Sequence, residues 1–266
     1  MKTLLKFTAA TLCVSLLAAC SNDQPAANTE AATNPNSSTA QRELIIATES
    51  SFKPFSYLDN QGQLVGFEID LANALCEQMQ ADCQIVSQDW DSLIPSLNAN
   101  KSDAIMAGMS ITEERLNAVD FSEPYFDNTL VLIGKKGNTA TINDIAGKTV
   151  ATQQATVSAE YLQKNYPDAI IKTYDKQDNA YLDLTAGRAE FMLSDVVPAA
   201  DWLTTDAGSE FEIKGAPIDI GDKVGIAVRK DSSLKADFDA ALASLKTNGK
   251  YDEIVAKYFD SQAVSQ

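Results

Sequence analysis

The chain has 266 residues, with 21 Lys+Arg against 37 Asp+Glu and no histidine, so its formal charge is −16; 45% of its residues are hydrophobic. Without histidine there is no Ser-His-Asp or Cys-His catalysis, no imidazole metal site and no imidazole pH switch. A chain this acidic repels phosphate backbones, which excludes nucleic-acid binding, and its ordinary apolar content excludes global disorder.

Met1 to Cys20 has the layout of an export signal. Lys2 and Lys6 form a positive start, and Phe7 to Ala19 then runs for 13 residues without a charge. That run is too short for a spanning helix, which needs about 20 apolar residues. The ending Leu17-Ala18-Ala19-Cys20 resembles a bacterial lipobox. It implies a lipoprotein signal over 1–19, lipidation of Cys20 and a membrane tether made of acyl chains alone. Ser21 to Ala40 offers only alanine as an apolar residue and carries two prolines, so 20–41 is expected to be a flexible linker. Of the four cysteines, Cys13 leaves with the signal and Cys20 is the lipidation candidate. Cys76 and Cys83, with six residues between them, are expected to form a structural disulfide in an exported protein.

From residue 42 onward the apolar patterning alternates between strands and helices. Glu43 to Thr48 is a short apolar run suited to a buried strand. Phe67, Leu71, Leu75 and Met79 recur at helical spacing. Gln84 to Val86 starts the next strand, Leu93, Ile94 and Leu97 the next helix, and Ala104 to Met109 a further buried strand. Thr112-Glu113-Glu114 then gives a cap residue followed by an acidic first turn. The alternation continues with a strand at Thr149 to Thr152, a helix through Tyr161, a strand at Ile170-Ile171, a helix around Tyr181 to Ala186 and a strand at Phe191 to Leu193. Leu130 to Gly134 and Val224 to Val228 are two further β-rich segments. A helix pair, Leu234 to Leu245 and Tyr251 to Phe259, divided at Asn248-Gly249, closes the chain. This pattern predicts α/β units with largely parallel sheets.

Three groups of residues carry a family resemblance: Leu64 to Ala72 (LVGFEIDLA), Asp91 to Leu97 (DSLIPSL) and Asp103 to Arg115 (DAIMAGMSITEER). With Gly147 to Val150, Asp183 to Arg188 and Gly249 to Tyr251, they resemble bacterial solute-binding protein family 3, the amino-acid receptors of ABC importers. The resemblance spans about 43 to 260 and is nearest to the arginine-binding and lysine/arginine/ornithine/histidine-binding members. It implies a two-lobed periplasmic binding protein (type II) fold of α/β class with two crossover hinge strands. The crossings fall at 125–129 and 220–224, lobe 1 covers 42–124 plus 225–266, and lobe 2 covers 130–219.

The same resemblance assigns a ligand site. Arg115 matches the arginine that grips the ligand carboxylate, assisted by backbone N–H groups near Ser110 and Thr156. Asp195 matches the acid that pairs with the ammonium, and the Gly108 carbonyl and Ser110 hydroxyl match its supporting acceptors. Glu49 matches a position that is acidic in the cationic-amino-acid binders, Phe52 and Trp90 the two faces that sandwich the ligand, and Gln153 a further polar contact. Acid and aromatic faces together suit a guanidinium. Taken singly, Glu49 is an ordinary solvated carboxylate, Arg115 a helix-surface arginine, and Phe52 and Trp90 packing residues. Their joint register carries the assignment. The chain departs from the family at Ala155-Thr156-Val157, where many relatives carry Gly-Thr-Thr.

The expected function is therefore a periplasmic, lipid-anchored, monomeric receptor. It binds a basic amino acid, arginine first, and serves an ABC permease with a separate ATPase subunit; it is not an enzyme and needs no cofactor or metal. Three alternatives are a receptor for a neutral amino acid such as glutamine, a cyclohexadienyl-dehydratase-like enzyme, and a sensory module. Gly147-Lys148-Thr149 echoes a phosphate loop, but Ile142 stands where that loop needs glycine.

Overall fold

The computed structural model describes residues 42–259. The signal segment, Cys13, the lipidation candidate Cys20 and the linker lie outside them.

The chain begins with β1 (Arg42–Thr48), β2 (Ser51–Phe52), β3 (Ser56–Leu58), β4 (Leu64–Val65), α1 (Phe67–Gln78), β5 (Ala81–Ser87), α2 (Leu93–Asn98), β6 (Ala104–Ile105), α3 (Glu113–Leu116) and β7 (Val119–Phe121). It continues through β8 (Phe126–Lys135), β9 (Thr149–Gln153), α4 (Val157–Asn165), β10 (Ile170–Tyr174), α5 (Gln177–Thr185), β11 (Phe191–Asp195), α6 (Val196–Leu203), β12 (Phe211–Ile213) and β13 (Ile218–Val224). It ends with β14 (Ala227–Arg229), α7 (Leu234–Thr247) and α8 (Lys250–Tyr258). Two main sheets result, β5-β1-β6-β14-β7 and β10-β9-β11-β8-β12, with β13 also paired to β8.

Each sheet buries both faces, which is why its strands read as continuous apolar runs. In β8, Leu130 and Leu132 pack with α4 through Val157 and Leu162, while Val131 and Ile133 pack with α5 and α6 through Ala180, Leu184 and Ala199. In the first sheet, Leu44 and Ile46 meet the α1 face of Phe67, Leu71 and Leu75, and α7 and α8 add Phe238, Leu242 and Ile254. Cys76, near the end of α1, is bonded to Cys83 in β5 and ties that helix to the edge of its sheet.

Four sequence expectations are corrected. The sheets are mixed rather than largely parallel: β1 pairs in parallel with β5 and β6, and β9 with β10 and β11, but β14, β8, β12 and β13 run antiparallel to their neighbours. The predicted strand Ala104 to Met109 is regular only over Ala104–Ile105, because Gly108 at φ +61° turns the chain out of the sheet. The segment Val224 to Val228 is divided between sheets. Val224 pairs with Phe126, whereas Ala227 pairs with Ile105 and Phe121. The division falls beside Gly225, where a Cβ would lie 2.9 Å from the Ile111 side chain. Finally, β5 begins at Ala81, so Cys83 lies within that strand rather than before it. The small sheet β2-β3-β4 is too short to have left a periodic signal.

Candidate ligand-binding site

Ligands of open α/β sheets bind beyond the carboxyl ends of the strands, and both sheets here place their carboxyl ends at one cavity. Glu49 follows β1, Gly108 and Ser110 follow β6, Gln153 ends β9, and Asp195 ends β11. Phe52 from β2, Trp90 from the turn before α2, Arg115 from α3 and Thr156 at the start of α4 complete the wall. All nine residues singled out in the sequence thus line the same cavity.

One part of the cavity wall is built around Arg115, which is 8% exposed. Thr112 caps α3 by accepting the Arg115 backbone N–H at 3.2 Å. The guanidinium donates to the carbonyls of Ser110 at 2.8 Å and Ala155 at 2.9 Å, and its carbon lies 5.3 Å from the Trp90 ring centroid. Trp90 Nε1 donates to the same Ala155 carbonyl at 3.2 Å. The Thr156 hydroxyl is engaged locally, donating to the Gln153 carbonyl at 2.8 Å and accepting the Ala159 N–H at 3.3 Å. It acts as the cap of α4, so this loop offers an anion the first N–H groups of the helix, which have no partner inside it.

At Asp195, burial pushes the carboxyl up to about 7, helped by the neighbouring Asp222 and opposed by Asn128 and Arg115. Asp222 accepts from the Ser110 hydroxyl at 3.1 Å and from Asn128 Nδ2 at 2.8 Å. With its one hydrogen given to Asp222, the Ser110 oxygen keeps only acceptor capacity, which suits an ammonium partner. Asp222 and Asn128 escape a reading of sequence alone. They lie 94 positions apart on β8 and β13, and only the register Asn128↔Asp222 brings them together.

Glu49 is 4% exposed and accepts from Gln153 Nε2 at 3.3 Å and from the Ser51 hydroxyl at 3.4 Å. Burial pushes its carboxyl up to about 7 against the pull of these two donors. Phe52 stacks on Phe55 at 5.2 Å and lies so close to Gly108 that a Cβ there would sit 2.4 Å from the ring. Thr152, Ser158, Gln177 and Ser194 also line the cavity; no sequence motif marks them. Among the described residues no acid or cysteine cluster is placed to hold a metal ion.

The ABC transporter arginine-binding protein 1 of Escherichia coli (strain K12) is 37% identical over 223 residues, covering 83% of this chain and 92% of that protein. The lysine/arginine/ornithine-binding periplasmic protein of the same organism is 37% identical over 225 residues, covering 81% and 86%. A Salmonella typhimurium periplasmic binding protein, solved for its high arginine specificity, superposes with a TM-score of 0.78 at 35% identity, covering 82% of this chain and all of that one. Residues 44–261 match one family throughout. With this two-sheet α/β architecture and a cavity between its carboxyl-end loops, the chain belongs to the bacterial extracellular solute-binding proteins, family 3.

Proposed function

We propose that this protein captures a basic amino acid, L-arginine first, and delivers it to an ABC permease. The observation that carries this is the placement of Glu49, a buried carboxylate lining the same cavity as Arg115 and Asp195. An amino acid excluded from water needs a partner for every charge it carries. Arg115 and the α4 N-terminus take its carboxylate, Asp195 with Ser110 and Gly108 its ammonium, and Glu49 with Gln153 the guanidinium. Phe52 and Trp90 lie along its stem. The names of the relatives, which are arginine- and lysine/arginine/ornithine-binding, support this choice of ligand.

The hinge is assigned to the crossings at 125–129 and 220–224, supported by the pairs Phe126↔Val224, Asp127↔Lys223 and Asn128↔Asp222. Lobe 1 is then 42–124 plus 225–266, and lobe 2 is 130–219. The receptor acts as a monomer held at the periplasmic face of a membrane through lipidated Cys20. Dehydration of a cyclic dienol keto acid, which carries no amine, would leave Asp195 without an ammonium partner.

Calorimetric titration with arginine, lysine, ornithine, histidine, glutamine and glutamate tests the ligand class. Arginine is expected to bind tightest. Binding of glutamine or glutamate with no response to any basic ligand would overturn the role given to Glu49.

A further inference from the structure

Glu68 is the second residue of α1 and is completely buried, yet it lines no part of the ligand cavity. Its Oε1 accepts the Gly108 N–H at 2.6 Å and the hydroxyl of Tyr125, the residue just before β8. The buried Ser56 hydroxyl lies beside this carboxyl and is the nearest further donor to it. Burial pushes this carboxyl up to about 7. Its surroundings are aromatic: Phe67 is next in sequence and lies close to Tyr125, Phe126 and Phe259. Such a place disfavours a carboxylate unless it does something a hydrocarbon cannot.

What it does is visible at Gly108. That residue has φ +61°, and the Phe52 ring blocks the space where a Cβ would be. With the backbone so confined, holding the N–H sets the direction of the carbonyl. No donor among the described residues meets the Gly108 carbonyl, and Gly108 lines the cavity.

We propose that Glu68 is a positioning residue for the ammonium subsite: by holding the Gly108 N–H, and being held by Tyr125, it aims the Gly108 carbonyl at the ligand's α-ammonium. This rests on the amino-acid-binding function proposed above.

The test compares L-arginine with 5-guanidinopentanoate, which is arginine without its α-amine, as ligands of wild type, Glu68→Leu and Glu68→Gln. Glu68→Leu is expected to weaken arginine about tenfold while leaving 5-guanidinopentanoate within about threefold. Glu68→Gln, whose amide oxygen accepts the same two donors, is expected to restore most of that loss. A purely structural role would weaken both ligands alike, and that result, or no loss of arginine affinity, overturns the proposal. Should Glu68→Leu not fold, Tyr125→Phe frees the carboxylate from its lock and must show the same α-amine-selective loss in smaller measure; a shared loss, or none, again overturns it. Failure of wild type to bind either ligand overturns the binding function itself, and this inference with it.

Discussion

The Arg115 guanidinium and the Ala155 carbonyl meet at 2.9 Å, and Trp90 Nε1 reaches the same oxygen at 3.2 Å. One carbonyl on the loop after β9 thus receives two donors from the first sheet's side of the cleft. Ala155 holds a left-handed backbone, φ +53°, at a position where glycine is the less strained choice. Gln153 Nε2 also reaches Glu49 at 3.3 Å and Gln154 reaches Asp91 between the same two sides, while the ion pairs Lys53–Asp201 at 3.3 Å and Lys176–Asp89 at 3.6 Å join partly or fully exposed side chains and contribute little.

Trp90→Phe therefore separates two roles. It keeps an aromatic face beside the ligand and removes the bond to Ala155. Dissociation of arginine in stopped-flow experiments is expected to accelerate by about three- to tenfold, with association little changed. Unchanged dissociation would show that the Ala155 contact does not hold the cleft closed.

Glu49→Gln and Arg115→Ala divide the ligand between them. Removing one partner of a buried charge pair costs about 2–5 kcal/mol, so Glu49→Gln is expected to weaken arginine by about a hundredfold while barely touching a neutral amino acid. Arg115→Ala is expected to weaken every amino acid alike, because all carry the carboxylate proposed to sit on it. Calorimetry on both variants checks this.

Glu49 also makes an opposite statement about stability. Its carboxyl is raised from 4.5 to about 7 in the folded protein. The folded state therefore holds more protons than the unfolded one between those values, and stability falls as pH rises through that window. At about pH 8, above the window, Glu49→Gln is expected to raise the melting temperature of the ligand-free protein while it lowers arginine affinity. A lower melting temperature would contradict the burial penalty.

The same shifts give binding a pH dependence. Glu49 and Asp195 both sit near about 7 in the ligand-free cavity, and a guanidinium and an ammonium would favour their ionised forms. Arginine binding then releases protons below about pH 7, and affinity falls as pH is lowered, by up to about tenfold per unit for each group. A neutral amino acid engages Asp195 alone and follows a shallower slope. Titrations at about pH 6 and about pH 8, in buffers of different ionisation heat, count the released protons directly.

Replacing Cys76 and Cys83 by serine is expected to lower stability by about 2–3 kcal/mol, the loop-closure value for so short a bridge. Arginine affinity is expected to persist, since the bridge lies near the far end of α1 from Glu68. Chemical denaturation and calorimetry distinguish the two effects.

Sequence reading reached the long elements because both faces of each sheet are buried. Phe67, Leu71 and Leu75 mark α1, and Leu130 to Gly134 marks β8, through hydrophobic period alone. The nine cavity residues became legible only through their register with a family, since an isolated Glu49 or Arg115 has no feature that separates it from a surface charge. Asp222, Asn128 and Glu68 stayed hidden for a different reason. Each acts through a partner 40 or more positions away in the chain, Ser110, Asp222 and Gly108 respectively, and no local pattern encodes such a pairing. The antiparallel half of each sheet was missed likewise, because strand direction depends on which segments cross between the sheets.

The structure of the protein crystallised with L-arginine tests the division of labour most directly. The ligand carboxylate is expected on Arg115, its ammonium on Asp195 with the Gly108 carbonyl, and its guanidinium within hydrogen-bonding distance of Glu49 and Gln153. A ligand lying in the reverse sense, or with its guanidinium away from Glu49, would contradict it.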